Sequence, residues 1–369
     1  MRRVTNAVTT RIHRSSFDYL ILIFTIILCL VGFIMVYEAS NVAAFREFGD
    51  KYHFIKDQLT WFVIGSIILV VLSFIPYQKY YFLSFPIFLA TIVFLIAVFI
   101  PGIGAKIQGA RRWVNLGFIR FQPSEFAKLS TILYVSSWLS HKEKERFLAF
   151  LTLMGITVGL VLLQPDFGTS VILTAIFLTI YFLSGAPVSH FIVILPIVVV
   201  SLIVLSVVSP YRSARIMTFL NPTHDLLGAS YHIRQILISL GSGGFLGVGL
   251  GASRQKFQFL PEATTDSIFA IIAEELGFVG SVAVIAIYFF LFSRIAKVIM
   301  TAVDTQGKLL AGGILVYLGF QTAVNLGAMV ALIPLTGIPL PFISYGGSNL
   351  ITSMCAIGIL LNISRQRKT

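Results

Sequence analysis

The sequence predicts an all-α polytopic membrane protein of about ten transmembrane helices. Three observations carry that prediction. Of 369 residues, 57% are hydrophobic and 11% charged, whereas a soluble domain carries about 25% charged residues. The apolar residues come in sustained runs of about 20, enough for a helix to cross the hydrocarbon core of a bilayer. The runs do not alternate in polarity, which excludes a transmembrane barrel.

The first run, residues 19–37, follows Arg2, Arg3, Arg11 and Arg14. It is too long for a signal-peptide core and lacks a small-residue cleavage site, so it reads as a retained span with a cytoplasmic N-terminus. Further runs lie near 58–75, 80–100, 123–139, 147–163, 168–184, 190–208, 267–293, 309–331 and 347–363. Both termini then fall on the cytoplasmic side. One long extracytoplasmic loop, 209–266, joins the seventh and eighth spans and contains an amphipathic piece from Tyr231 to Leu240. A connection of that length inside a compact domain is usually functional. No internal repeat divides the chain, which reads as one integral membrane domain over 1–369.

Net charge is +12, but the basic residues are scattered among apolar runs. Membrane lipids, and not nucleic acid, are the natural partner. Cys29 and Cys355 each sit inside an apolar run, so no disulfide framework or cysteine metal site is available. The six histidines are scattered, and no ligand spacing for a dedicated metal site occurs.

Four outer-face segments concentrate charge, glycine and proline. In the first, Gly109-Ala110-Arg111-Arg112-Trp113 leads to Gln122-Pro123-Ser124-Glu125-Phe126-Ala127-Lys128. Gln122 or Pro123 opens a helix, which puts Glu125 and Lys128 three apart on one face. They read either as a helix-start ion pair or as a functional pair, because a lysine a turn into a span is costly. The second, Gln164-Pro165-Asp166-Phe167-Gly168-Thr169, is a tight turn in which Asp166 is a candidate helix cap.

The third runs from Gly241 through Gly251 to Ser253-Arg254-Gln255-Lys256, then Pro261-Glu262-Ala263-Thr264-Thr265-Asp266. Its glycine spacing matches neither a dinucleotide fingerprint nor a P-loop. It offers backbone amides beside Arg254 and Lys256, suited to an anionic head group. Asp266 stands at the mouth of the eighth span, four residues after Glu262. Glu274 and Glu275, about two turns deeper on that helix, read as structural. The fourth segment, 332–348, holds three prolines and two adjacent glycines and cannot be an ordinary span; an irregular segment lining a cavity fits. These features together describe an outward-facing site that processes or moves a lipid with an anionic head.

On these residues the sequence resembles the SEDS family (shape, elongation, division and sporulation) of peptidoglycan glycosyltransferases, the FtsW/RodA proteins. The matching stretches fall at 109–128, 164–169, 241–278 and 332–350, in family order. Ser253-Arg254-Gln255-Lys256 and the ending 358–365 look more like the division-type FtsW branch. One departure is Thr264, where the family commonly has His.

The resemblance implies a ten-helix fold that polymerises lipid II on the outer face of the bacterial cytoplasmic membrane. Asp266 matches the family's essential aspartate and is the expected catalytic residue. Arg112 and Lys128 match family positions important for activity. Arg112, Lys128, Arg254, Lys256 and Glu262 are the expected substrate-binding residues. A divalent cation, Mg or Mn, is compatible with the chemistry, although no ligand set is visible. The expected protein partner is a class B penicillin-binding protein transpeptidase. The rival reading is a lipid II flippase; a scaffold that only recruits a transpeptidase is a third.

Overall fold

The computed structural model describes residues 13–14, 17–107, 110–115, 117, 120–141, 146–208, 210–220, 229–257 and 259–367. Arg2, Arg3, Arg11, Gly109, the loop basic residues Lys142 and Lys144, and Lys368 lie outside the described residues.

The described chain is predominantly helical. In order come α1 (Tyr19–Phe48), α2 (His53–Phe74), α3 (Tyr80–Ala97), α4 (Pro123–Leu139), α5 (Phe147–Leu163), α6 (Phe167–Leu183) and α7 (Val188–Val208). Then follow α8 (Pro210–Leu220), α9 (Ala229–Gly243), α10 (Ile268–Thr301), α11 (Thr305–Met329) and α12 (Gly347–Arg365). Six of these, α1, α2, α3, α10, α11 and α12, are long and apolar enough to cross a membrane by length and composition. Shorter apolar helices lie at Phe147–Leu163, Phe167–Leu183 and Val188–Ser201. The architecture is that of a polytopic membrane protein.

Local chemistry sets several boundaries. Gly49, at φ 70°, ends α1 in the left-handed conformation that a residue without Cβ adopts readily. Pro123 opens α4, where its missing N–H is harmless, and extended Gln122 precedes it. Asp304 caps α11 by accepting from the Gly307 amide at 2.7 Å.

Helices α4, α6, α11 and α12 carry much of the buried core, including Ile132, Ile176, Phe177, Ile314, Tyr317 and Leu360. By contrast α2, α3 and α7 present Ile67, Val70, Phe82, Val93, Ile192 and Val200 outward. Apolar faces of that extent suit lipid contact, not water. A short antiparallel sheet of β2 (Gly104–Ile107), β3 (Ala110–Asn115) and β4 (Arg120–Phe121) fills the connection before α4. The sequence reading did not anticipate it. At the opposite end of the bundle β1 (His13–Arg14) pairs with β5 (Gln366–Arg367), bringing the two ends of the described chain together. Asp18 reinforces this junction through an ion pair to Arg294 at 2.8 Å.

The expectation of one uninterrupted span over 267–293 is corrected. Helix α10 breaks at Gly277, with φ 67° and ψ −163°, a region open essentially to glycine alone. The glycine-rich loop after α9 stitches into the break. The Val248 amide donates to the Glu274 carbonyl at 3.0 Å, Gly249 to Glu275 at 3.1 Å, and Phe278 to Gly244 at 3.0 Å. Residues 268–276 thus form a short buried helix that leads into the lipid-facing length of α10.

A Cβ on Gly277 would lie 2.2 Å from the Gly247 nitrogen. Gly277→Ala is therefore expected to lower the melting temperature and the yield of monodisperse protein. Gly319→Ala, on α11 with nothing within 4 Å of the added carbon, should be neutral or stabilise by about 0.4–1 kcal/mol. Size-exclusion thermal melts in detergent measure both.

Candidate functional site

The irregular stretch 332–346, joining α11 to α12, forms the floor of the site. Its prolines prevent a regular helix, so its backbone groups need partners from elsewhere. Arg215 Nη1 of α8 donates to the Leu335 carbonyl at 2.8 Å. Asn325 Nδ2 of α11 donates to Ile338 at 2.8 Å, and Gln321 Nε2, one turn earlier, to Pro339 at 2.9 Å. The Tyr288 hydroxyl donates to the Pro341 carbonyl, and Gln58 Nε2 to Ser344 at 3.2 Å.

Asp266 is built onto this floor. Asn325 Nδ2 also donates to the Asp266 carbonyl at 2.8 Å. The Tyr345 amide donates to the Thr264 carbonyl at 2.9 Å, and Ser344 Oγ donates to the Thr265 carbonyl. Gly337, at φ 71°, leaves space beside the carboxylate. A carbon added there would stand 3.8 Å from Asp266 Oδ2 and 4.0 Å from Arg215 Nη1.

Asp266 is 8% exposed. Burial, and then the like charge of Glu262, push it from its ordinary value up to about 7. Arg215 and a hydrogen bond from Thr265 act in the opposite direction. Thr265 Oγ1 lies 2.8 Å from Glu262 Oε2 and 3.2 Å from Asp266 Oδ1. His232 of α9 completes the group, its Nε2 2.7 Å from Ser267 Oγ. Burial and the Arg215 charge hold this imidazole down at about 4, so it is neutral at physiological pH.

Of the residues expected at the site, the structure brings Asp266 and Glu262 together through Thr265. Three of the four expected cations, Arg112, Lys128 and Lys256, are engaged elsewhere. Arg112, on β3, donates from Nε to the Gln164 carbonyl at 3.1 Å and from Nη2 to Pro165 at 2.6 Å. It thereby holds the 164–168 turn, whose Gly168 packs against Thr336 and Ile338. Lys128 is sealed in the bundle: its Nζ lies 2.8 Å from Glu125, 2.6 Å from Gln321 Oε1 and 4.8 Å from the centre of the Tyr317 ring. Its side chain is 1% exposed, so in this arrangement it has no face toward an outer head group. The ion-pair reading of Glu125 and Lys128 is what the geometry shows.

Lys256 is also buried, 3.6 Å from Glu38 Oε2 of α1, and donates to the Gly251 carbonyl. Arg254 presents an exposed side chain while its amide donates to Glu274 Oε1 at 3.1 Å. Glu274 also accepts from Ser253 Oγ, and Glu275 from the Ser253 amide at 3.3 Å. These two carboxylates fasten the loop 249–256, which supports their structural reading. Both lie in the short helix 268–276, before the break at Gly277. Asp166 caps α6 through the Thr169 amide at 3.2 Å and also accepts from Gln122 at 3.2 Å and Ser124 at 3.1 Å.

The sequence reading missed Arg215, His232, Gln321 and Asn325. Gln321 and Asn325 had a legible signal, two amide side chains one turn apart in an apolar run. Arg215 and His232 had none beyond lying in the long loop. Among the described residues no group of three or more His, Cys, Asp or Glu side chains is gathered to hold a metal.

Two outcomes follow from this arrangement. The raised Asp266 pKa means that the folded state holds its proton more tightly than the unfolded chain. Its ionisation therefore weakens the fold as pH rises from about 4 through about 7. Asp266→Asn should melt higher than the parent protein at pH 8 and show no advantage at pH 4; paired thermal melts decide it. Lys128→Met should lose roughly 3–5 kcal/mol by leaving Glu125 unpaired in the bundle. The double variant Glu125→Gln/Lys128→Met should recover much of that loss in the same assay.

The comparisons with known proteins agree with this fold. The chain is 41% identical over 358 residues to a probable peptidoglycan glycosyltransferase FtsW of Coxiella burnetii, covering 95% of this chain and 96% of that protein. It is 38% identical to stage V sporulation protein E of Bacillus subtilis, over 95% of this chain and 98% of that one. A solved chain from a peptidoglycan synthase complex described as coordinating polymerization and crosslinking superposes with TM-score 0.79 at 28% identity, over 95% of this chain and 98% of that one. The rod shape determining protein RodA of Thermus thermophilus superposes at 0.70 with 27% identity, over 96% and 98%. The family model described as cell cycle protein, covering FtsW, RodA and SpoVE, matches residues 18–369, and this chain belongs to that family.

Proposed function

We propose that this protein is a peptidoglycan glycosyltransferase that polymerises lipid II into glycan strands, in cell division or elongation. The observation that carries the reading is Asp266, a buried carboxyl held near neutrality on a rigid backbone floor. The acceptor sugar's 4-hydroxyl oxygen attacks the anomeric carbon of the donor sugar. The bond from that carbon to the phosphate oxygen breaks, and undecaprenyl pyrophosphate leaves. The hydroxyl proton passes to Asp266 acting as general base, and a base with pKa near the working pH suits that task. Arg215 is the cation beside the carboxylate and supplies positive charge where the leaving pyrophosphate develops negative charge. Arg112 acts by holding the 164–168 turn, and Lys128 by fixing Gln321 under the floor. Arg254 and Lys256 belong to the adjoining glycine-rich loop, where exposed Arg254 suits contact with an anionic head.

The topology in this reading has ten crossings, α1–α7 and α10–α12, with α8 and α9 on the extracytoplasmic side. The pairing of β1 with β5 supports placing both termini on one side, and the basic N-terminal residues support the cytoplasm. The site then faces outward from the bacterial cytoplasmic membrane. A class B transpeptidase is the natural partner, because a growing strand must be crosslinked where it is made. Likeness to FtsW proteins supports the division branch.

The test is polymerisation of labelled lipid II by purified protein with its cognate transpeptidase. Wild type should give glycan ladders whose rate rises with pH through about 7, because only the ionised Asp266 accepts the proton. Asp266→Asn should lose 10²–10⁴-fold, roughly the share of a general base. Ladders of normal intensity from Asp266→Asn would remove Asp266 from the chemistry. Lipid II translocation without any ladders would favour a flippase.

A further inference from the structure

Each glycosidic bond delivers one proton to Asp266, and Asp266 is buried. The base works again only after that proton has left, so a strand of many sugars needs an exit route. The groups around Asp266 form one. Thr265 Oγ1 stands between Asp266 Oδ1, at 3.2 Å, and Glu262 Oε2, at 2.8 Å. Glu262 is exposed and Thr265 half-buried, so the three side chains run from the buried base to water.

Three further observations fit transfer and not mere packing. Thr265 has a single hydroxyl proton, and the shorter contact is to Glu262. Both carboxylates are placed to accept that proton, and once Asp266 is itself protonated the hydroxyl donates to Glu262 at the shorter contact and accepts from Asp266. The hydroxyl is also held in place, since the Thr265 amide donates to the Glu262 carbonyl at 3.2 Å and its carbonyl accepts from Ser344 Oγ. Finally, Glu262 sits at φ 51°, a strained conformation for a residue with a Cβ. That backbone turn is what carries its carboxylate back over Thr265.

We propose that the Thr265 hydroxyl is a relay that carries the abstracted proton from Asp266 to Glu262 and on to water, resetting the base between sugar additions. Protonated Asp266 donates to Thr265 Oγ as Thr265 passes its own proton to Glu262 Oε2. Glu262 then releases the proton to solvent, and rotation of the Thr265 hydroxyl restores the starting state. No proton is created or lost, and no co-reactant is needed. Among the described residues, the charged and titratable groups facing this path are Arg215 from α8 and His232 from α9. From α11 and the floor come the neutral Asn325 and Gly337. Thr265 is a positioning residue, acting through Asp266, and the proposal rests on Asp266 being the base.

Thr265→Val keeps the shape and removes the hydroxyl; Thr265→Ser keeps the hydroxyl. Initial rates of lipid II polymerisation by the full chain with its transpeptidase are measured across neutral pH, in low and high imidazole at constant ionic strength. Thr265→Val should lower kcat roughly tenfold or more, with KM unchanged, a loss at the modest end of proton-transfer effects. High imidazole, a mobile proton carrier, should restore much of that rate, and Thr265→Ser should match wild type. If Thr265→Val fails to fold, Glu262→Gln provides the same readout, a slowed kcat rescued by imidazole. A wild-type kcat in Thr265→Val at low imidazole overturns the relay. So does a loss that imidazole does not restore, or one that Thr265→Ser shares. Asp266→Asn separates the two levels: if it is active the base assignment fails, whereas if it is inactive and the Thr265 pattern is absent the relay alone fails.

Discussion

The arrangement depends on one constraint: a proline-rich backbone segment set among membrane helices must have its polar groups satisfied by side chains. Residues 332–346 cannot form helix ladders, and lipid offers them no water. The donors come from helices far apart in sequence: Gln58 of α2, Arg215 of α8, Tyr288 of α10, and Gln321 and Asn325 of α11. Each bond that satisfies a carbonyl also fixes a helix relative to the floor. Asn325 makes the link to function explicit, since one amide group bonds both the Ile338 carbonyl of the floor and the carbonyl of Asp266. The Asp266 carboxylate is thus positioned by the same contacts that make the segment tolerable in a membrane.

A second consequence is electrostatic. Asp266 and Glu262 are brought together by a backbone turn at Glu262, and burial strengthens their mutual repulsion. This is a strained arrangement of the kind functional sites retain at the expense of stability. Lys128 and Glu125 show the opposite solution, two buried charges placed to neutralise each other, with Gln321 accepting a second hydrogen bond from the ammonium. The two clusters are joined through α11, because Gln321 and Asn325 lie one turn apart on it. The charge pairing at Lys128 and the anchoring of Asp266 therefore meet on neighbouring positions of one face of α11.

Much of this was legible in the sequence. Apolar runs located the helices, Pro123 and Asp166 marked helix starts, and the three prolines of 332–348 announced an irregular segment. Asp266 and Glu262 stood out as carboxylates at a membrane mouth. Other features were not legible, for physical reasons. The break in α10 at Gly277 lies in an apolar stretch whose composition is indifferent to a change of direction. The three-stranded sheet before α4 is too short to show alternation. The cations are instructive: Arg112, Lys128 and Lys256 are conspicuous as charges, yet each is hydrogen-bonded or ion-paired to a partner remote in sequence, Pro165, Gln321 and Glu38 respectively. A linear sequence shows a charge but not what faces it. Arg215 was overlooked for the same reason, being one loop arginine among several until the fold set it beside Asp266.

The central claim is that Asp266 is a carboxyl whose proton is exchanged near neutral pH, and this is most directly tested by observing that proton. Infrared difference spectroscopy of the protein in membranes resolves the carbonyl stretch of a protonated carboxylic acid from that of a carboxylate. The account predicts a protonated-acid band that titrates with a midpoint at about 7 and is missing from Asp266→Asn. A spectrum in which the band lost in Asp266→Asn titrates instead near the ordinary aspartate range, about 4, would contradict it.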